Sequence, residues 1–152
     1  MSAQDPAVKK KPSGGMGKIL QRAFMKGHVS LYRLTGGKVG GGEHLLILTT
    51  TGRKSGVKRD TPLFFFRDEG HYIIIASAGG AEKHPTWWLN LKSNPQATIQ
   101  VGANVVPVTA QEAEGAERER LWAIIADNYK QFVGYQKRTT RTIPVVVLTP
   151  NA

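Results

Sequence analysis

Apolar residues along this chain fall mostly into short runs bounded by turn residues. Leu45–Leu48 is such a run, of the kind that makes a buried strand. Leu63–Phe66 and Tyr72–Ala76 follow, divided by a turn at Asp68-Glu69-Gly70. Ala97–Val101 and Val105–Ala110 read as a hairpin about Gly102-Ala103-Asn104, and Pro107 predicts an edge or a bulge in the second strand. Ile143–Leu148 is a last continuous apolar strand. Helical spacing is confined to two longer stretches. Met16, Ile19, Leu20, Ala23 and Phe24 form one stripe opposite Lys18, Arg22 and Lys26, and Tyr32 and Leu34 extend its apolar character. From Glu112 to Tyr129, Leu121, Trp122, Ile125 and Ala126 make an inner face, with Glu114, Glu117, Arg118, Glu119 and Arg120 on the wet side. A short helix starts at Pro85 and closes at Asn94-Pro95. Six or so strands without alternating crossover helices predict a mostly β barrel or sandwich with flanking helices, not a doubly wound sheet.

The length of 152 residues suits one domain with a real core. Met1–Gly15 is polar and lacks an apolar centre, so it reads as a tail and not as a signal peptide. Gly36-Gly37-Lys38-Val39-Gly40-Gly41-Gly42 reads as a hinge. The chain thus divides into a basic tail, amphipathic helix and hinge over 1–42 and a folded domain over 43–152. No cysteine is present, which excludes disulfides and thiolate chemistry. Lys+Arg 21 against Asp+Glu 11 gives a formal charge of +10, favouring an acidic ligand, an anionic membrane or nucleic acid.

Charge is concentrated in Thr49-Thr50-Thr51-Gly52-Arg53-Lys54-Ser55-Gly56-Val57-Lys58-Arg59, read as a loop between strands. Glycines, hydroxyls and clustered cations suit a phosphate or polycarboxylate, although a solvated basic loop has the same composition. A second stretch, Ser77-Ala78-Gly79-Gly80-Ala81-Glu82-Lys83-His84-Pro85, follows a strand and leads into Trp87-Trp88. Small residues there admit a flat ligand close to the backbone. The two stretches together describe the ends of one elongated, anionic, aromatic ligand. His28, His44, His71 and His84 show no metal-ligand spacing, and there is no G-x-S-x-G elbow or paired carboxylate. Side chains so poor in reactive groups point to a borrowed cofactor.

LLILTTTGRKSG, TPLFFFRD, ASAGGAEKHPTWWLNLKSNP and the closing RTIPVVVLTP resemble the deazaflavin-dependent nitroreductase and quinone reductase family of actinobacteria. The resemblance covers about Glu43 to Pro150. It implies a split β-barrel of the flavin-reductase and pyridoxamine-phosphate-oxidase type, using coenzyme F420. By the same resemblance, Lys54 and Arg59, with Arg53 beside them, meet the cofactor's phosphate and acidic tail. Thr61 and Pro62 border its path. Ser77, Ala78, Gly79 and Gly80 form the ledge beneath the deazaflavin, and Trp87 and Asn90 occupy further binding positions. Tyr129 and Tyr135 match pocket tyrosines, and Ser77, Tyr135 and Tyr129 are the catalytic candidates. Phe64 and Phe132 stand where nitroreductase-type relatives carry tyrosine, and Ala78 stands where they carry lysine.

The reaction these residues imply is hydride transfer from reduced F420 to a flat electron-poor acceptor such as a quinone, enone or nitroaromatic. Two alternatives stay open at this level: an FMN oxidoreductase on the same barrel, and a basic β-barrel binding single-stranded nucleic acid. The second is disfavoured because the cations sit in one loop and do not alternate with aromatics. No nucleic acid partner is therefore expected. The expected location is the cytoplasm, with peripheral contact to anionic membrane through residues 16–26.

Overall fold

The computed structural model describes Val29, Tyr32 and residues 43–152. The expectations for the tail at 1–15, the helix over 16–26 and the hinge at 36–42 lie outside the described residues.

Seven strands form one antiparallel sheet in the order β2-β1-β5-β6-β7-β4-β3. In chain order they are β1 Leu45–Thr51, β2 Lys58–Phe64, β3 Phe66–Asp68, β4 His71–Ile75, β5 Gln96–Val101, β6 Asn104–Glu112 and β7 Val145–Pro150. Three α-helices accompany them: α1 Thr86–Ser93, α2 Gly115–Asn128 and α3 Gln131–Arg138. The single run expected over Leu63–Phe66 is two strands, because the chain breaks at Phe65, whose N–H donates to the His44 carbonyl at 2.9 Å. β2 and β3 lie at opposite edges of the sheet, yet only Phe65 separates them. The edges must therefore come together, and the sheet curls into the split barrel that the resemblance implies.

Period-two alternation sorts the apolar residues between two faces. Leu46, Leu48, Ile74, Val146 and Leu148 point into the barrel, where Trp87, Trp88 and Leu91 of α1 join them. Ile73, Ile75, Val145 and Val147 point outward and are covered by Leu121 and Ile125 of α2 and Phe132 of α3. Each fully buried aliphatic contributes roughly 1.5–3 kcal/mol. Outside β1, Val29 and Tyr32 pack on Ile47, and the Tyr32 hydroxyl accepts from the Gly102 N–H at 2.8 Å.

Four local expectations change. Lys58 and Arg59 belong to β2 and not to the loop, paired with Thr51 and Thr50. Pro107 lies in a strand flanked by β5 and β7, but the β7 ladder begins only at Val108, so its missing N–H removes no ladder bond. Helix α2 starts at Gly115, because β6 continues to Glu112, and Tyr129–Arg138 supplies a further helix, α3. Finally, Arg118 is not wholly wet: its Nη1 donates to the Ile143 carbonyl at 2.7 Å.

Candidate cofactor site

The ledge follows β4 directly. Ser77 is in right-handed helical conformation (φ −79°, ψ −35°), and Ala78, Gly79 and Gly80 all take positive φ of 46°, 64° and 85°. A right-handed residue followed by a left-handed one turns successive N–H groups toward one side, a backbone arrangement that receives anionic or carbonyl oxygens. Ala78 pays roughly 1–2 kcal/mol for a conformation natural to glycine. Gly80 is required for a second reason. A Cβ there would lie 2.7 Å from the Tyr135 carbonyl, so the ledge is seated directly under α3.

Two latches hold the ledge from the other side. Arg141 donates through Nε to the Ala81 carbonyl at 2.8 Å, through Nη2 to Ser77 at 2.8 Å and through Nη1 to Ala76 at 3.1 Å. Nη1 also lies 3.1 Å from His84 Nδ1, which must accept. Glu82 accepts from the Thr140 N–H at 3.2 Å and from its hydroxyl at 2.9 Å. Those hydrogen bonds from Thr140 hold the Glu82 carboxyl below its ordinary pKa. Burial, and then the charge of Arg141, push the His84 imidazole down. Sequence reasoning missed these latches. Arg141 lies within the RTIP motif, but its acceptors are backbone carbonyls more than fifty residues upstream, which no spacing signals.

The cationic segment is tied to the ledge through α1. Asn90, almost fully buried, accepts from the Arg53 N–H at 3.1 Å and donates to Thr50 Oγ1 at 3.3 Å. Its amide is thus occupied in fixing the β1–β2 turn. Lys54 and Arg59 are exposed and, among the described residues, pair with no carboxylate. Directly opposed residues share a face, so Arg59 and Thr61 lie on the Leu48 and Thr50 side and Pro62 lies on the Ile47 side. Thr61 and Pro62 therefore turn their side chains to opposite faces of the edge strand β2. Trp87 packs into the barrel core among Leu46 and Leu48.

An aromatic wall runs away from Gly80. Tyr135 meets Phe132 with ring centroids 5.7 Å apart, Phe132 meets Phe64 at 5.3 Å, and Phe64 meets Tyr129 at 4.8 Å. Tyr129 also borders a cleft of about 470 Å³ with His44, Phe65, Phe66 and Arg67. Among the described residues the hydroxyls of Ser77, Tyr129 and Tyr135 have no protein hydrogen-bond partner, and none is a sealed polar atom. No cluster of metal-ligating side chains is found among the described residues.

The chemistry of these groups fits an anionic cofactor with a flat ring: a backbone cradle at Ser77–Ala78, an unpaired hydroxyl at Ser77, and exposed cations at Lys54 and Arg59 that pair with no carboxylate among the described residues. Comparison with known proteins agrees. A family model described as F420H(2)-dependent quinone reductase matches residues 24–150. An F420H(2)-dependent quinone reductase of Mycobacterium tuberculosis is 42% identical over 129 residues, covering 80% of this chain and 87% of that protein. The solved structure of an F420-H2 dependent reductase is 44% identical with a TM-score of 0.62, covering 68% of this chain and 92% of its own. A second solved structure, described only as a domain-swapped dimer, is 36% identical with a TM-score of 0.67 and covers 91% of this chain and 99% of its own. The chain belongs to the F420H2-dependent quinone reductase family, whose cofactor is reduced F420 and whose acceptor is a quinone.

Proposed function

We propose that the Ser77–Gly80 ledge and the Arg53–Arg59 segment hold the two ends of reduced F420, and that the Tyr135–Phe132–Phe64–Tyr129 wall orients the acceptor. When bound, the cofactor supplies a hydride from C5 of its deazaflavin. Ser77 Oγ and the N–H groups of Ala78 and Gly79 hydrogen-bond the ring edge, the Gly80 N–H being given to the Ser77 carbonyl at 2.9 Å. Lys54 and Arg59 meet phosphate and tail carboxylates, with Arg53 held beside them by Asn90. Trp87 packs beneath the site, Asn90 acts through the turn it fixes, and the backbone at Thr61-Pro62 borders the cofactor's path. The wall lays a flat acceptor over the ring, and the Tyr135 hydroxyl delivers the proton that completes reduction. The protein's own contribution is proximity and orientation, the large terms open to a site without a reactive group.

One observation carries this reading: the Ser77–Ala78 backbone cradle, with its unpaired Ser77 hydroxyl, runs into Gly80, which is seated on the backbone of Tyr135 in α3. Fluorescence quenching should show F420 binding more tightly than FMN, and a quinone should bleach the reduced deazaflavin absorbance on mixing. Equal or tighter FMN binding would remove the cofactor assignment to these residues.

Phe64 and Phe132 make the wall hydrocarbon where tyrosine hydroxyls would otherwise stand, so the reading favours quinones and enones over nitro compounds. A side-by-side turnover assay with a nitroimidazole tests this. The stripe of Met16, Ile19, Leu20, Ala23 and Phe24 beside Lys18, Arg22 and Lys26 is read as a contact with anionic lipid, placing a cytoplasmic enzyme at the membrane face. Vesicle flotation with and without Met1–Lys26 checks it; equal lipid binding would refute it.

A further inference from the structure

We infer that Arg141 is a positioning residue for the reaction, fixing the ledge backbone and setting it in register with the helix that carries Tyr135. The inference rests on the reading that the ledge receives the deazaflavin ring. Its guanidinium reaches carbonyls on both sides of the left-handed run: Ala76 at 3.1 Å and Ser77 at 2.8 Å before it, Ala81 at 2.8 Å after it. The loop's two ends are thereby held at a fixed separation while Ala78 stays at a positive φ of 46°. A planar fan of donors can meet several divergent acceptors at once, which a lysine ammonium on its flexible stem cannot do.

Arg141 is itself fixed from α3. Gln136 Nε2 donates to the Arg141 carbonyl at 2.7 Å, and Gln136 Oε1 accepts from the Ile143 N–H at 2.9 Å. Gln136 adjoins Tyr135, whose backbone carries the weight of Gly80. A closed circuit results: ledge to Arg141, Arg141 to Gln136, Gln136 along α3 to Tyr135, and Tyr135 back to Gly80. Among the described residues no carboxylate forms an ion pair with Arg141, so its donors are spent on the ledge and on His84. Hydride transfer needs the ring and the acceptor at a fixed spacing, and this circuit couples the surfaces that hold them.

The test uses the full chain with Arg141→Ala, Arg141→Lys and Arg141→Gln. F420 affinity should fall about tenfold or more in the alanine variant, the equivalent of one or two lost hydrogen bonds. Lysine should recover only part of it. Guanidinium at a non-denaturing concentration should restore affinity in Arg141→Ala, whereas sodium chloride of equal ionic strength should not. Hydrogen exchange should quicken in the 76–82 segment and stay unchanged in β1 and β5. If the alanine variant does not fold, the lysine and glutamine variants carry the same readouts. Wild-type F420 affinity and ledge exchange in the folded variants would overturn the positioning role alone. Failure of F420 to protect the 76–82 segment in the unaltered protein would sink the ledge reading itself, and this inference with it.

Discussion

The ledge and the cationic hairpin turn are both glycine-bearing loops at strand ends, yet they are built in opposite ways. The ledge is locked: Gly80 rests on Tyr135, Arg141 spans its carbonyls and Glu82 ties it to Thr140. The hairpin turn closes on itself, the Gly52 N–H donating to the Val57 carbonyl and the Gly56 N–H to the Gly52 carbonyl, each at 2.8 Å. The Asn90 amide ties it to α1, while Lys54 in the turn and Arg59 in β2 stand in solvent. A ring that must sit at a fixed distance from its acceptor calls for the first design. A flexible polyanionic tail calls for the second, since charge acts without close register. Geometry resides in one loop and charge in the other.

A matched pair of glycine substitutions breaks the comparison most sharply. Gly80→Ala meets two penalties: its φ of 85° and a Cβ 2.7 Å from the Tyr135 carbonyl. The first costs roughly 1–3 kcal/mol and the overlap roughly 1–3 more. Gly56→Ala has φ of 70° but open space around the new carbon. It should lose only the backbone term, about 1–2 kcal/mol. Urea unfolding measures both. Equal losses would mean that the ledge is not seated on α3 as described.

Next in size is Tyr135→Phe. Removing an unpaired hydroxyl leaves packing nearly intact, so stability and F420 affinity should stay close to those of the parent. Turnover with a quinone should fall about a hundredfold if the hydroxyl is the proton donor, about 2.7 kcal/mol of barrier. Full turnover would reduce Tyr135 to a wall and make Ser77 or solvent the next candidate.

The loop should respond differently. Lys54→Ala and Arg59→Ala remove exposed charges, so each should weaken F420 binding by about 1 kcal/mol, less than a buried charge-assisted contact. The loss should shrink as salt is added, and thermal stability should hardly move. A variant that bound F420 normally at low salt would show that its cation does not touch the tail.

Much of this was readable from the residues, and what was not has a common cause. The strand runs and the inner face of α2 followed from period and burial, because Leu121 and Ile125 report their own environment. The split at Phe65 was hidden, since a buried aromatic between two strands reads as one continuous run. Lys58 and Arg59 looked like loop because charge outweighed the alternation they continue; on an edge strand such cations also deter pairing with another chain. The ledge was visible in its glycines, but the latches were not. Arg141 binds carbonyls, and every residue type has a carbonyl. Asn90 was expected at a binding position; that its amide bonds Arg53 and Thr50, about forty residues upstream, is again something no spacing signals.

The smallest expected effect separates the two loops by pH. His84 accepts from Arg141, and burial followed by the charges of Arg141 and Lys92 lowers its pKa from the ordinary 6.5, with Glu112 opposing. A base whose pKa is depressed on folding binds fewer protons folded than unfolded. Its stabilising contribution is therefore complete above the ordinary histidine value and is lost as pH falls below it. Between pH about 7.5 and 5.5 the ledge should loosen as His84 is forced to charge beside a guanidinium. Glu82, held low by Thr140, and Asp68, held low by Arg120, are the opposite case in charge but the same in direction. Their contributions fade only further down, below their ordinary values of 4.5 and 3.8, and so fall outside this window. The segment from Thr51 to Arg59 holds no histidine or carboxylate, so its grip on an anionic tail should not follow the His84 titration. His84→Gln keeps an acceptor for Arg141 without the titration, and its thermal stability should change less with pH across this window than the parent's. Hydrogen exchange of the 76–82 segment should show the same contrast, quickening at pH 5.5 in the parent and hardly at all in the variant. Identical pH profiles for the two proteins would mean that the imidazole is a bystander to the latch and that Arg141 holds the ledge through the carbonyls alone.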